Sequence, residues 1–440
     1  MSTPQLADGV GAGSAADDPD GGRRRKRLGQ WFTPPALVDH LVAVVHGLEQ
    51  ADPASSPVRT VLDPACGDGR FLVAAREAFG PQVQAVGIDL DERAVAAART
   101  ALPGAEIHHA DALAMEFGDR RFDLVIGNPP FLNQLAASTT RGGRSRFGGG
   151  PYADAAAEFL ALATRLTRAD GGRVALVLPQ SILTTRDAGP IRAEILTRAS
   201  LTHAWWSTTS MFDAHVHVCA LVLTAGSPVG PVRRSCGPTF EPREPVTING
   251  SWGRLLVEHP EAVASIDGNG NGNATIGERA TFTVDFRDQY YGLVGAVADD
   301  ADGPPLVTSG LIDPGVCHWG RRPVRFAKQR FVAPRVDLSV LEPKLQRWAA
   351  QRLVPKVLIA NQTRLIEAVI DPAGAWLPSV PVITCVPNDV ADLEAVAAAL
   401  SSPSATAWVL ERAAGSGLSP GAVRLTPSLL AAIPWPTDAR

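Results

Sequence analysis

A short apolar run closed by two prolines constrains this chain more than any other stretch. Phe122-Asp123-Leu124-Val125-Ile126-Gly127 is too short for a helix, and Asn128-Pro129-Pro130-Phe131 follows it with paired prolines that forbid one. The pattern predicts a buried parallel strand ending in a rigid turn. In open α/β sheets ligands bind beyond the carboxyl ends of such strands, so function is expected at this turn. It offers an amide, a backbone carbonyl and an aromatic ring. Those groups suit an aromatic amine: the Asn128 oxygen and an Asn or Pro carbonyl accept both amine hydrogens, and Phe131 stacks on the ring that bears them. The competing reading is a plain strand-to-loop turn, because Asn and Pro are common turn formers.

Three further strand ends precede this turn. Thr60-Val61-Leu62-Asp63-Pro64-Ala65-Cys66-Gly67-Asp68-Gly69-Arg70 reads as a strand, a glycine turn and a helix start. Gly67 and Gly69 let a ligand approach the backbone, while Asp63 and Asp68 put negative charge where a phosphate loop wants none. A cationic or amino-bearing ligand is therefore expected rather than a pyrophosphate. Asp89 ends the next strand, 20 residues after Gly69, the spacing at which an acid reaches ribose hydroxyls in nucleotide-binding βαβ units. Asp111 follows a third. Together these ends predict an adenosine-type pocket; a dehydrogenase is the rival, but its G-x-G-x-x-G is missing from this stretch.

At 440 residues, 45% apolar and 20% charged, the chain is expected to hold two globular domains. Cys66, Cys219, Cys236, Cys317 and Cys385 lack paired spacing, which argues against a zinc site or a disulfide framework, and no metal is expected. Without a long apolar run or a secretory-type start, the expectation is no membrane association and a cytoplasmic location. Residues 1–28 read as a disordered tail with a basic run at 23–27. Residues 29–35 lead into a helix whose apolar residues Leu37, Leu41, Val44 and Val45 repeat at helical spacing, with Thr33 as its cap and Pro34 at its first position. The net charge of −4 hides an asymmetry: between Arg321 and Lys356 ten basic residues face Asp337 and Glu342, a local +8.

Asp63 to Gly69 resembles the S-adenosylmethionine loop of class I methyltransferases, and Asn128-Pro129-Pro130-Phe131 resembles the catalytic motif of amino-methyltransferases. The order of residues 29–35, the glycine loop, the Asn-Pro-Pro-Phe turn and a long C-terminal region is similar to the gamma class of N6-adenine DNA methyltransferases. The likeness is good over roughly 29–225 and looser beyond. It implies an α/β fold, with a Rossmann-like class I methyltransferase mixed sheet carrying helices on both faces, plus a C-terminal α+β target-recognition domain. The implied organisation is a methyltransferase domain at 29–245, a linker at 246–277 and a DNA target-recognition domain at 278–440. Prolines from residue 226 onward and the Gly/Asn run at 268–273 suggest a connector reaching to about Gly277.

The resemblance also implies site residues. S-adenosyl-L-methionine would be held by Thr33, Asp63, Ala65, Gly67, Gly69, Asp89, Asp111, Asn128 and Phe159. Asn128, Pro129, Pro130 and Phe131 would be catalytic, with Phe131 and Phe212 stacking on a base rotated out of double-stranded DNA. Arg141, Arg144 and Arg146, in a glycine-rich loop over 138–150, and Arg321, Arg322, Arg325, Lys328 and Arg330 are the DNA-contacting candidates. Beyond Lys356 a β meander to Thr384 and two helical stretches are expected. A restriction or phage-defence protein is a conceivable partner. Glutamine methyltransferases of release factors and guanine methyltransferases of ribosomal RNA share the Asn-Pro-Pro-aromatic turn, and a DNA-binding module with an inactive pocket is the non-enzymatic alternative.

Overall fold

The computed structural model describes residues 33–51, 57–131, 145–150, 153–207, 217–248, 251–258, 274–285, 287–417 and 421–435. Its largest feature is a nine-stranded sheet. The strands are β1 Thr60–Asp63, β2 Gln84–Asp89, β3 Glu106–His109, β4 Leu124–Gly127, β5 Arg173–Pro179, β6 Ala199–Trp206, β7 Val218–Ala225, β8 Val232–Cys236 and β9 Glu241–Val246. They lie in the order β3-β2-β1-β4-β5-β7-β6-β8-β9. The first five pair in parallel, and β7 enters antiparallel between β5 and β6. Leu124, Val125 and Ile126 have no solvent exposure, as a strand covered on both faces requires.

Alternation along these strands divides the core between two helical layers. Val61, Leu124 and Ile126 pack with helices α1 Pro35–Ala51, α2 Arg70–Phe79 and α3 Glu92–Ala101. Leu62 and Val125 point the other way, toward α4 Ala155–Leu166 and α5 Gly189–Arg198. Full burial of each such aliphatic side chain contributes about 1.5–3 kcal/mol relative to exposure. The expected fold class is what this α/β portion displays. Helix α1 starts at Pro35, one residue later than the expected first turn. Thr33 is not its side-chain cap, because the hydroxyl is engaged elsewhere.

Residues 232–258 depart from a bare connector. Strands β8 and β9 extend the large sheet, and a 3-10 turn at Trp252–Leu256 buries Trp252 and Leu255 in the core beneath it. The buried Arg234 fixes this segment: its guanidinium donates to the carbonyls of Leu255 at 3.1 Å and Val257 at 2.6 Å. Composition concealed this, since Pro and Gly between the strands read as linker. The Gly/Asn run at 268–273 lies outside the described residues.

The C-terminal part is built on a four-stranded antiparallel sheet of β10 Ala280–Val284, β11 Lys356–Ile359, β12 Ala368–Asp371 and β13 Ile383–Pro387. The strand order is β10-β13-β11-β12. Strand β13 therefore returns to the far edge of β11, so these strands are not the expected meander. Helices α6 Leu393–Ser401 and α7 Pro403–Ala413 cover one face. Short strand pairs and a helix at Pro343–Arg352, supplied by residues 293–352, cover the other. Two glycines seat this part on the first: a side chain at Gly253 would run into the Glu411 carbonyl, and one at Gly415 into the backbone of Gln180. The Thr184 hydroxyl adds a bond to Ala414 O at 2.7 Å. Among the described residues no helix is long and apolar enough to cross a membrane, and no group of three or more His, Cys, Asp or Glu side chains could hold a metal.

Lys356 is not part of a basic surface. It is fully buried, and its ammonium donates to Asp371 Oδ2 at 2.5 Å, directly across the β11–β12 ladder. Asp371 also accepts the N–H groups of Ala375 and Trp376. Burial pushes the lysine down from its ordinary range, and the Asp371 carboxylate opposes that drop. Lys356→Ala strands the carboxylate and is expected to lower stability by about 3–5 kcal/mol, whereas a Lys356→Met/Asp371→Asn double variant, which removes the buried charge and keeps an acceptor for the Ala375 and Trp376 N–H groups, restores part of it. Urea unfolding of the three proteins measures this.

Candidate active site

In the large sheet the connection from β1 runs toward β2 and that from β4 toward β5, so the order reverses between β1 and β4. That reversal opens a crevice beyond their carboxyl ends. Asp63 ends β1 and Asn128 follows β4. Gly127, between them, has to lack a side chain: a Cβ there would lie 2.4 Å from Asp63 Oδ1. The two strand tips are thus pressed together. The buried Asp63 carboxylate lies against the residue that immediately precedes Asn128.

The glycine loop folds over the same crevice. Asp63 Oδ1 accepts the Ala65 N–H at 3.0 Å, and Cys66 N–H donates to Ile88 O at 2.9 Å. Gly67 and Gly69 adopt φ of +52° and +85°, which side chains rarely tolerate, and Gly69 leads directly into α2. Asp89 shapes this loop as well as standing at the expected ribose position: its Oδ2 accepts the Gly67 N–H at 2.8 Å and its Oδ1 that of Asp91 at 2.8 Å. Asp111 is exposed beyond β3, with Oδ1 held by the Leu113 N–H at 2.9 Å.

A hydrogen-bonded relay ties the segment before α1 to both motifs. The buried Thr33 accepts from Asn128 Nδ2 at 2.9 Å, which turns the amide oxygen away from Thr33. The Thr33 carbonyl accepts from Arg70 Nη1 at 2.5 Å. Arg70 in turn grips Asp68 with Nε at 3.0 Å and Nη2 at 2.6 Å, a fork that also holds its own charge high. Asp68 is thereby neutralised within the loop and does not face a ligand as a bare charge, contrary to the expectation from sequence.

Asp63 and Asp89 remain as the acidic character of the crevice. Burial holds the Asp63 carboxyl well above its ordinary range, and Asp89 and Asp68 add to the rise while the Ala65 N–H opposes it. Burial likewise raises Asp89, against the N–H bonds it accepts. Groups in this state favour an incoming cation, which stabilises their charged forms. Cys66 is no nucleophile here: burial and the same carboxylates push its thiol far up.

Of the other expected residues, Pro129 is buried, and Pro130 and Phe131 are half-buried beside Asn128. Phe159 is buried on α4 among Ile88, Ala112 and neighbouring apolar groups. Phe212, Arg141 and Arg144 lie outside the described residues. Arg146 is exposed, but its guanidinium donates to Leu113 O at 2.5 Å, next to Asp111. Arg321, Arg325, Lys328 and Arg330 are exposed on the C-terminal part, whereas Arg322 is bound to Asp313 at 2.6 Å and is structural. Sequence reasoning missed Arg70, Leu90 and Glu158. Arg70 could have been found as the cation two residues after Asp68. Leu90 is 59% exposed immediately beyond Asp89, an apolar side chain at a strand tip with no core to fill. Glu158 is buried and accepts from Ser145 and the Arg146 N–H, anchoring the segment 145–150 to α4.

Gly127→Ala tests the contact between the strand tips. Forcing a methyl group against the Asp63 carboxylate is expected to cost about 1–3 kcal/mol, read as a lower urea midpoint at unchanged m-value.

Comparison with known proteins agrees with this geometry. Residues 22–232 match the N-6 DNA Methylase family. Type II methyltransferase M.TthHB8I of Thermus thermophilus is 32% identical over 200 residues, covering 41% of each protein. Type II methyltransferase M.CvrRI of Paramecium bursaria Chlorella virus XZ-6E is 28% identical over 169 residues, covering 37% of this chain and 39% of the relative. The chain spans about two fifths of the length of these relatives. Among solved structures, the type IIL restriction-modification enzyme MmeI in complex with DNA superposes on 95% of this chain and 69% of its own, with a TM-score of 0.55 at 14% identity, a likeness of fold. The likeness to the N-6 DNA Methylase family thus rests on residues 22–232, a little under half of the chain.

Proposed function

We propose that this chain is an adenine-specific DNA methyltransferase that transfers a methyl group from S-adenosylmethionine to N6 of an adenine rotated out of double-stranded DNA. The observation that carries the proposal is the Asn128 amide, pinned by Thr33 at the tip of β4 with its oxygen turned away from that anchor, beside the acid-lined glycine loop. The match of residues 22–232 and the type II methyltransferase relatives support the same reading, including a role as the modification activity of a restriction-modification system.

The crevice suits the cofactor on chemical grounds. Its buried carboxyls favour a cation, and S-adenosylmethionine carries a sulfonium and an ammonium. Asp63, Ala65, Gly67 and Gly69 would hold its amino-acid end, Asp89 the ribose, and Asp111 the adenine amine, with Leu90 and Phe159 as apolar walls. Thr33 would act through Asn128. When bound, the cofactor supplies an electrophilic methyl group on a good leaving sulfur.

The chain then has to position the amine. Asn128 Oδ1 and the Pro129 carbonyl accept its two hydrogens, so the nitrogen lone pair points out of the ring plane toward the crevice. Phe131 stacks on the base and offsets part of the few kcal/mol spent in unstacking it, with Phe212 proposed for the other face. No side chain is required as a base before methylation, because the methylated nitrogen is acidic enough to release its proton. Residues 29–245 would form the methyltransferase domain and 278–440 a target-recognition domain whose Arg and Lys side chains contact phosphates.

Asn128→Ala is expected to lower the methylation rate by at least about 10²–10³, the scale for losing one preorganised hydrogen-bonding group at a reacting centre. Cofactor affinity should stay within a few-fold. Tritiated-methyl transfer to duplex DNA, RNA and protein, followed by mapping of modified adenines, reads this out. An active variant, or label in RNA or protein alone, would refute the assignment.

Proton linkage gives a second test. With its carboxyl raised, folded Asp63 keeps a proton that the unfolded chain has lost, so the unliganded fold loses stability as pH rises from the ordinary carboxylate range to that raised value. A bound cation favours the carboxylate. Cofactor binding is therefore expected to release protons, with affinity rising as pH rises through the same window. Calorimetry in buffers of different ionisation heat measures the release, and Asp63→Asn should abolish most of it.

A further inference from the structure

A two-stranded ribbon in the C-terminal part, Val324–Phe326 with Gln329–Phe331, carries features that cost folding stability and are hard to explain by folding alone. Its turn is only two residues long, and both Ala327 (φ 49°) and Lys328 (φ 68°) lie in the left-handed region. Such turns take Gly or Asn for that reason, since a Cβ is strained there. Arg325 and Arg330 are directly paired across the strands, where like charges repel. Both are exposed, as are Lys328 and Gln329, and among the described residues none of the three cations is in an ion pair.

The opposite face is firmly held. Val324, Phe326 and Phe331 are buried in the core under the four-stranded sheet. The Ala327 N–H donates to the Tyr290 hydroxyl at 3.0 Å, and the Tyr290 ring packs on Phe326 at 4.8 Å. Below the ribbon the Asp299 carboxylate accepts the N–H groups of Val332 and Ala333, and Arg322 is tied to Asp313. One face is thus fixed to the core, the other carries the Arg325–Arg330 pair, and the tip adds the exposed Lys328 in the turn and the exposed Gln329 opposite Phe326.

We propose that this ribbon enters the major groove of double-stranded DNA, with Lys328 and Gln329 at base edges and Arg325 and Arg330 on the flanking phosphates. The major groove admits a two-stranded β ribbon, and a polyanion relieves the cross-strand repulsion that the free protein bears. Lys328 occupies a left-handed position because its side chain is needed at the tip. The inference rests on the DNA-methyltransferase reading and adds to it the element that probes sequence.

The test uses the full chain and a duplex containing its mapped methylation site. Lys328→Gly relieves the turn and removes the cation. It is expected to raise the melting temperature, weaken specific binding by about tenfold, lower the salt slope by about 1 and abolish protection of guanine N7 from dimethyl sulfate. Ala327→Gly relieves the turn but keeps Lys328, and should stabilise the protein with binding unchanged. Arg325→Ala/Arg330→Ala should lower the salt slope by about 2 without loss of stability. Wild-type methylation of DNA together with unchanged affinity, slope and protection in the Lys328 and arginine variants would overturn the ribbon assignment alone. A wild-type protein that binds cofactor but no duplex overturns both readings.

Discussion

The contact between the tips of β1 and β4 governs the candidate site. Where crossovers diverge from two adjacent parallel strands, a crevice opens, and whatever follows those strands stands at its mouth. Here Gly127 closes the distance: without a side chain, it lets the Asp63 carboxylate rest against the strand that delivers Asn128. The glycine loop after Asp63 and the proline turn after Gly127 are thereby parts of one wall. Paired prolines then fix the exit path of the chain, which limits where the Asn128 side chain can go.

Polar bonds convert that proximity into defined orientations. Thr33 reaches the Asn128 amide with its hydroxyl and Arg70 with its carbonyl, and Arg70 grips Asp68. Thr33 thus links the Asn128 turn to the glycine loop through its two oxygens. The same relay sorts the charges. Asp68 is neutralised in place, leaving Asp63 and Asp89 as the carboxyls whose charged forms are held back by burial. An uncompensated carboxylate in such surroundings is expensive, and a cationic ligand is the partner that removes the expense.

The C-terminal part illustrates how poorly summed charge predicts a surface. The segment from Arg321 to Lys356 carries a formal +8, yet Lys356 is sealed in the core against Asp371, Arg352 is bound to Asp285 at 2.7 Å and Arg322 is bound to Asp313. These cations hold the fold together. Those that remain exposed include Arg325 and Arg330, set on one side of the 324–331 ribbon by strand alternation that buries Val324, Phe326 and Phe331 on the other, and Lys328 in its turn.

Much of the N-terminal sheet was legible in the primary structure because its signals are local. Apolar runs of four to seven residues ended by Asp63, Asp89 or Asn128 specify parallel strands and their tips, and Gly67 and Gly69 specify a turn that only small residues can make. A resemblance to a known motif order supplied further expectations. What the chain order could not reveal is pairing between distant groups. That Thr33 serves Asn128 instead of capping a helix, that Val232–Cys236 and Glu241–Val246 extend the large sheet, and that Lys356 faces Asp371 all depend on neighbours distant in the chain. The amino acids determined which strand tips carry chemistry, since backbone geometry and periodicity act over a few residues. Only the tertiary structure decided which charges face a ligand and which are spent inside, since burial and hydrogen bonding are properties of surroundings that the folded chain alone brings together.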